Sequence, residues 1–336
     1  MRLLLIFGVV INHIGSTKII TDLPALTSIT SPGLAVISGF LLMRNLNSFS
    51  TLVKRVRKRI TTLIIPYLAW TILYFIFIRI VTKMLMQYGI HFPEFDQYAL
   101  GTWSFETYFY RFFLYPTPGA FWYLQNLILA LPLSFLLLPI LRFRYLLVPV
   151  LLFLWITFFL GIHLFFSSQF LPFFIVGLWL GIHYPNLVHS SPYSTKVTLG
   201  IFFILFIIIR LLVLENKNLE NLIKFPLEFG ALYALFFSLR NSQSSKFVDW
   251  LNAKNHIAFF LHSFHQILFW ILGGCTIILV HYMQWSIHPS IMTQSILTII
   301  FLGLVFHITE YIEDFVSRHS TLLSDILNGT RGRGSY

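Results

Sequence analysis

Long apolar runs recur along the whole chain, and short polar or basic segments separate them. A run of about 20 apolar residues is long enough to cross the hydrocarbon layer of a membrane as one α-helix. The pattern therefore predicts an all-α fold, a polytopic membrane protein with about ten transmembrane helices in one bundle. The predicted spans are residues 2–16, 29–46, 60–80, 120–141, 145–163, 168–184, 197–214, 225–240, 256–280 and 291–312.

Two long segments lie between or after the predicted spans. Residues 81–119 form the longest loop, and their Trp, Tyr and Phe residues are typical of an aromatic belt at the membrane interface or of a lid over the bundle. The same rings would also serve as a platform on which sugars stack. Residues 318–336 are predicted to be a tail. Because neither segment is long enough for a second globular domain, residues 1–336 are predicted to form one membrane-embedded domain.

Composition excludes an ordinary soluble protein, because 57% of the 336 residues are hydrophobic and only 10% are charged. In a soluble protein the net charge of +11 would suggest a nucleic-acid partner, but here the basic residues cluster in short loops between apolar spans. We therefore expect no nucleic-acid partner, and we expect no metal site. The single cysteine, Cys275, cannot form a disulfide within the chain.

The distribution of Lys and Arg predicts how the bundle lies in the membrane. Sixteen of these residues fall on the side that holds both chain ends, and seven fall on the other side. Because short cytoplasmic loops carry an excess of Lys and Arg, both termini are predicted to be cytoplasmic. The loop at residues 81–119 is then extracytoplasmic, and the tail at residues 318–336 is cytoplasmic.

Arg2 and His13 lie eleven residues apart in the first predicted span. Eleven residues make about three helical turns, so both fall on one face, with the guanidinium roughly 16 Å along the axis from the imidazole. An ionisable side chain deep in a span is costly and marks a functional site by default. Alternatively, His13 has only a structural role and forms a hydrogen bond to a neighbouring helix.

The densest basic segment, residues 53–60, runs directly into the third predicted span. Arg55 and Arg59 are four residues apart and therefore neighbours on one helical face at the cytoplasmic side. Clustered guanidinium groups at that place are suited to bind phosphates in bidentate geometry. The same cluster would also serve as a topology determinant that contacts anionic lipid headgroups.

Two further ionisable residues lie within predicted spans. Glu228 is a carboxylate in the eighth span, and His262 is an imidazole in the ninth. Each either contributes to function or pairs with another helix. Histidines near predicted span ends, such as His183 and His281, are expected at the membrane interface.

Together these residues resemble the acyltransferase-3 family of integral membrane acyltransferases. Arg2 and His13 match the family's first-span pattern of an Arg, ten residues and a His. Arg55 and Arg59 match its Arg-x-x-x-Arg pattern before the third span. Further matches, in the family's order, are Ser38-Gly39-Phe40-Leu41 in the second span, Pro66-Tyr67 in the third, Phe121-Trp122-Tyr123-Leu124 in the fourth and Phe260-Leu261-His262 in the ninth.

The resemblance implies an acyl-CoA donor, usually acetyl-CoA, that approaches from the cytoplasm. The implied acceptor is a hydroxyl of a surface polysaccharide or of its lipid-linked sugar precursor. The implied location is the cell membrane, in a bacterium the inner membrane, where lipid surrounds the bundle. Arg2, Arg55 and Arg59 would then hold the CoA phosphates, and Ser38 and Trp122 would complete the donor site.

A sugar hydroxyl is a poor nucleophile at neutral pH, so its attack on a thioester needs a positioned base, and neutral imidazole suits that role. We therefore expect His13 to be the general base, with a covalent acyl-histidine relay as the open alternative. Asn12 and Glu228 are candidates to orient the imidazole or to stabilise the oxyanion, as are Ser38 and Trp122.

Two other functions are compatible with this sequence. A ten-span bundle with prolines inside its spans, such as Pro32 and Pro172, also suits a transporter or flippase of a glycan precursor or small solute. Intramembrane His and Glu residues would then couple transport to protons. A sensor or scaffold that recruits anionic lipid would account for the basic segment. It would leave the alignment of Arg2, His13, Arg55 and Arg59 unexplained.

Overall fold

The structure, a computed structural model, describes residues 2–16, 24–89, 121–160, 170–186, 197, 200, 201, 204, 205, 208, 227–236, 246–268, 271 and 291–328. These residues are almost all helical and contain no strand, which confirms the all-α fold for them. In chain order the helices are α1 (Arg2–Ser16), α2 (Pro24–Met43), α3 (Phe49–Gln87), α4 (Trp122–Leu141), α5 (Leu147–Phe159), α6 (Leu171–His183), α7 (Leu227–Phe236), α8 (Lys246–Ala253), α9 (258–268), α10 (Ile291–His319) and α11 (Thr321–Asn328).

Helix α3 is much longer than the span predicted for it. It contains 39 residues, from Phe49 to Gln87, where the hydropathy pattern predicted residues 60–80. Lys and Arg are good helix formers, so the basic segment continues the helix although it interrupts the apolar run. At its other end the helix continues past the predicted span end at residue 80 to Gln87, and Gly89, with φ of 73°, follows its end. The rest of the predicted loop, residues 90–119, lies outside the described residues.

The end of the chain is also more helical than predicted. Helix α10 continues to His319, beyond the predicted span end at residue 312, and α11 occupies Thr321–Asn328 within the predicted tail. A buried side chain links the two helices, because Glu313 of α10 accepts hydrogen bonds from Ser317 and from Asn328 of α11. The first part of the predicted tail is therefore folded.

Two helices among the described residues are long and apolar enough to cross a membrane, α3 and α4. Shorter apolar helices lie at Thr30–Met43, Arg144–Phe158, Leu171–His183 and Leu227–Phe236. At 1.5 Å per residue, α3 is roughly 58 Å long, about twice the thickness of a bilayer's hydrocarbon core. The count of ten spans and the orientation of the termini stay predictions.

The chain divides into two compact units, each built from segments that are distant in sequence. Unit 1 comprises Met1–Gly15, Thr21–Arg59 and Asn126–Ala258. Unit 2 comprises Ser16–Ile20, Ile60–Gln125 and Phe259–Tyr336.

In unit 1, helices α2 and α6 pack against each other through glycines. A Cβ atom added to Gly39 would overlap the backbone of Phe174, and one added to Gly177 would overlap the carbonyl oxygen of Val36. At Gly181 it would lie 2.6 Å from the Phe40 carbonyl oxygen. Small residues that let two backbones approach are the usual way to pack helices in a membrane. The position of α2 in unit 1 is therefore fixed by backbone contact.

Helix α1 and helix α7 also pack on α2 in unit 1. A Cβ atom at Gly33 would lie 2.7 Å from Leu232 Cδ2 of α7 and 2.9 Å from Leu5 Cδ1 of α1. Farther along α1, Phe7 stacks on Trp250 of α8, with ring centroids 6.2 Å apart. Apolar contacts thus hold both helices around the middle of α2.

In unit 2, large aromatic side chains fill the space between helices. Trp70 of α3 meets Phe260 of α9 edge to face, with ring centroids 5.0 Å apart, and lies 5.9 Å from Phe264. Its indole Nε1 donates a 3.0 Å hydrogen bond to the carbonyl oxygen of Leu327 in α11. One buried side chain therefore joins three helices of this unit.

Candidate functional site

The C-terminal end of α2 is capped by an arginine from α3. The last carbonyl groups of a helix have no partner within it, and they carry the negative end of its dipole. Asn45, just past the helix end, has φ of 53°, a left-handed conformation that Asn tolerates. The Arg55 guanidinium donates from Nη1 to the carbonyls of Leu42, at 3.0 Å, and Arg44, at 2.7 Å, and from Nη2 to that of Asn45, at 3.3 Å.

Arg59 lies one turn farther along α3 and contacts the same helix. Its Nη1 donates a 3.0 Å hydrogen bond to the carbonyl oxygen of Ser38. Leu52 and Val56 on the same face are buried, at 0% and 3% exposure. The structure thus places Arg55 and Arg59 together, on the face of α3 that packs against α2.

The remaining cations of the segment lie on the other face of α3. Lys54, Arg57 and Lys58 are exposed, whereas Arg55 and Arg59 are half-buried. The basic segment is therefore two sets of residues with different environments. Sequence reasoning grouped them, because the carbonyl partners of the inward set belong to α2 and are not visible in a local pattern.

The bonds of Arg55 limit what else it can bind. A guanidinium has five N–H donors, and Arg55 uses three of them on carbonyls at and just past the end of α2. Its charge still raises the potential at the end of α2, where the helix dipole is negative. The contacts of Arg55 show that it caps the end of α2. Fewer of its N–H donors are therefore left for a phosphate than the sequence pattern predicts.

Three predicted site residues belong to α1, and their side chains lie outside the described residues: Arg2, Asn12 and His13. The backbone of α1 is helical over all three positions. Helical periodicity puts position 13 on nearly the same face as Ile6 and Val9, which are buried at 4% and 6% exposure. The register of α1 therefore places position 13 in line with its packed face.

Glu228 lies in α7 and is buried in unit 1, at 2% exposure. The next residue, Phe229, stacks on Phe173 of α6, with ring centroids 4.4 Å apart. A buried carboxylate in an apolar helix is costly, so Glu228 stays a candidate for a functional role. Ser38 is half-buried, and its backbone carbonyl accepts the hydrogen bond from Arg59.

Unit 2 contains a second set of buried polar side chains, on helix α9. His262, Ser263 and His265 are 3%, 1% and 0% exposed. The His262 ring meets Tyr123 edge to face at 6.2 Å, and His265 Nδ1 lies 3.0 Å from the carbonyl oxygen of Leu261. Trp122, predicted for the donor site, belongs to this unit, where it is half-buried against Tyr123.

Sequence reasoning singled out His262 but missed Ser263 and His265. The available signal was three polar residues within four positions of an apolar span. It also gave Glu313 no role, whereas the structure uses its Oε1 to accept hydrogen bonds from Ser317, at 2.9 Å, and from Asn328, at 3.2 Å. Among the described residues, no three His, Cys, Asp or Glu side chains come together as metal ligands would.

Comparison with known families adds one finding. The family model described as an acyltransferase domain, that of acyltransferase-3, matches residues 1–310. No curated protein and no solved structure matches the chain. The matched range begins before α1 and ends within α10, so it contains every predicted site residue and leaves α11 outside.

Proposed function

The chain belongs to the acyltransferase-3 family, and on that premise we propose that it transfers an acyl group, acetyl by preference, from cytoplasmic acyl-CoA to a hydroxyl of a surface glycan or lipid-linked sugar. Membership of this family supports a membrane acyltransferase activity in general. The donor, the acceptor and the base are the specific parts of the proposal.

The positive charge at the C-terminal end of α2 is the observation that supports acyl-CoA as the donor. An acyl-CoA has phosphates at one end and the reactive thioester at the other. Arg55 and Arg59 bring two guanidinium groups to the C-terminal end of α2, and Lys54 and Lys58 add exposed positive charge on the other face of the same helix segment. Such a concentration of positive charge attracts and orients a polyanionic donor.

The reaction requires one proton to move twice. We propose that the His13 imidazole takes the proton of the sugar hydroxyl as the oxygen attacks the thioester carbonyl. The new C–O bond forms an ester, the C–S bond breaks, and the leaving CoA thiolate takes the proton back as a thiol. Asn12 and the buried Glu228 are the residues that would orient the imidazole or stabilise the oxyanion. A covalent acyl-histidine relay would use the same residue and is distinguished by trapping the acylated protein.

The direct test uses the full-length protein reconstituted in vesicles, with acetyl-CoA that carries its label in the acetyl group. The acceptor is surface polysaccharide from cells that lack the gene. We expect label to appear on the polysaccharide as a base-labile ester, with one free CoA thiol released for each ester formed. If no thiol appears above the level of protein-free vesicles, while polysaccharide precursor crosses the membrane, the protein is a transporter and the proposal is wrong.

A cell-based measurement identifies the acceptor. Surface polysaccharide from cells with and without the gene is compared by mass spectrometry. We expect one ester substituent to be missing in the second sample, and its mass names the acyl group. Identical spectra would contradict a surface glycan as acceptor.

A further inference from the structure

Arg44 follows the last residue of α2, and the packing of unit 1 leaves a hydrogen-bond donor of its guanidinium group without an acceptor among the described residues. It is half-buried, and its Nε–H is shielded from solvent and has no hydrogen-bond partner among the described residues. The guanidinium carbon lies 5.9 Å from the centroid of the Phe40 ring, within the range of a cation–π contact, which needs none of the N–H donors. A buried donor without a partner is unfavourable, so this position favours the binding of an acceptor.

Backbone contacts hold Arg44 in place. Its carbonyl oxygen accepts the 2.7 Å hydrogen bond from Arg55, and its N–H donates to the Phe40 carbonyl at 2.8 Å. A Cβ atom at Gly181 of α6 would lie only 3.0 Å from the backbone nitrogen of Arg44, so α6 also packs closely against this residue. These contacts hold the base of the side chain in place before any ligand binds.

The surroundings of Arg44 are cationic. Arg55 and Arg59 lie on the adjacent face of α3, and Arg44 forms no ion pair with a carboxylate in the described part of the chain. An arginine edge, with Nε–H and one Nη–H parallel, matches two oxygens of a phosphate. The chemistry that fits this position is therefore an oxyanion, and the oxyanion that the proposed donor carries is a phosphate.

We propose that Arg44 binds a phosphate of the acyl-CoA donor through its Nε–H and Nη–H edge, and that Arg55 is a positioning residue that acts through the Arg44 backbone. This inference rests on the proposed function. The family resemblance assigns the CoA phosphates to Arg2, Arg55 and Arg59. We assign one of them to Arg44 instead, because Arg55 uses three of its five N–H donors on backbone carbonyls and Arg44 does not. A phosphate of an anionic lipid has the same chemistry, so the test must separate the two sources.

The test measures equilibrium binding to the full-length protein in vesicles of phosphatidylcholine, which carry no net charge. The probes are acetyl-CoA and acetylpantetheine, which has the same thioester and no phosphate. We expect Arg44→Gln to weaken acetyl-CoA binding at least about tenfold, because a charge-assisted bond is lost, and to leave acetylpantetheine binding unchanged. Arg44→Lys keeps the charge and should lose less, and it serves if the Gln variant fails to fold. Arg318→Gln, which removes an exposed cation paired with Asp314, is the matched control with no effect.

The role of Arg55 is tested by a double-mutant cycle. Arg55→Lys alone should weaken acetyl-CoA binding, but in the Arg44→Gln background it should add almost nothing, because both changes break the same contact. Additive losses would overturn the positioning role of Arg55. Equal losses for both probes, no loss in Arg44→Gln, or a loss seen only when anionic lipid is added to the vesicles would overturn the assignment of Arg44 to the donor. Wild-type protein that fails to bind acetyl-CoA would instead overturn the proposed function, and this inference with it.

Discussion

In unit 1, α2 and α6 meet backbone to backbone at Gly39, Gly177 and Gly181. In unit 2, by contrast, the Trp70 side chain joins α3 to α9 through a ring contact and to α11 through a hydrogen bond. The glycine contacts in unit 1 leave no room for a larger side chain. The contacts in unit 2 are weakened when a polar group is removed. Unit 1 therefore holds the end of α2 at a fixed place, which is where Arg44 and Arg55 lie. Unit 2 instead depends on individual hydrogen bonds within an apolar interior.

The largest effect is expected where volume is added in unit 1. Gly177→Ala should lower the free energy of unfolding by about 2 kcal/mol, because its Cβ overlaps the Val36 carbonyl and a backbone must shift. Gly303→Ala in α10 is the matched control, since a Cβ there meets no atom within 4 Å. It should be neutral or stabilising by about 0.5 kcal/mol, because Ala favours the helix. Denaturant unfolding in detergent micelles measures both, and equal stability of the two variants would contradict the close packing of α2 on α6.

A smaller effect is expected when a polar group is lost in unit 2. Trp70→Phe removes the hydrogen bond to Leu327 and leaves that carbonyl without its donor, which should cost about 1 kcal/mol. Trp179→Phe is the matched control, because the Trp179 Nε1 has no hydrogen-bond partner among the described residues. The difference between the two unfolding free energies isolates the hydrogen bond. If Trp179→Phe costs as much as Trp70→Phe, ring volume rather than hydrogen bonding holds α11.

The smallest effect separates the two faces of the basic segment in unit 1. Arg59→Lys keeps the charge but loses the planar donor set, so the KM for acetyl-CoA should rise about threefold. Lys58→Gln, one position away on the exposed face, should change the KM less than about twofold, because exposed charges act only through a screened field. Steady-state transfer rates at fixed ionic strength give both values. A larger rise in Lys58→Gln would mean that the outer face binds the donor.

The helices followed from the sequence wherever hydropathy and helix propensity agree. The predicted spans at 2–16 and 120–141 nearly coincide with α1 and α4. For α3 the two signals disagree, because basic residues end the apolar run and yet continue the helix. Hydropathy alone therefore placed the start of α3 eleven residues late and put residues 81–87 in a loop.

The candidate site was only partly predictable. The spacing of Arg55 and Arg59 gave their common face, but their carbonyl partners are 10 to 21 residues away and depend on how α2 packs. Arg44 gave no signal, because nothing in a local pattern distinguishes a buried Nε from an exposed one. Gly39 belongs to a matched motif, yet the reason for a glycine there is the backbone of α6, which only the fold reveals.

The most direct test of the central claim is the rate of acetyl transfer from acetyl-CoA by the His13→Ala variant, measured in vesicles beside wild type and beside His319→Ala. His319 is exposed and lies outside the family match, so its variant should keep the wild-type rate. Loss of a general base should lower the rate of His13→Ala at least about 100-fold, with acetyl-CoA affinity and folding unchanged. A His13→Ala variant that transfers acetyl groups at the wild-type rate would contradict the account.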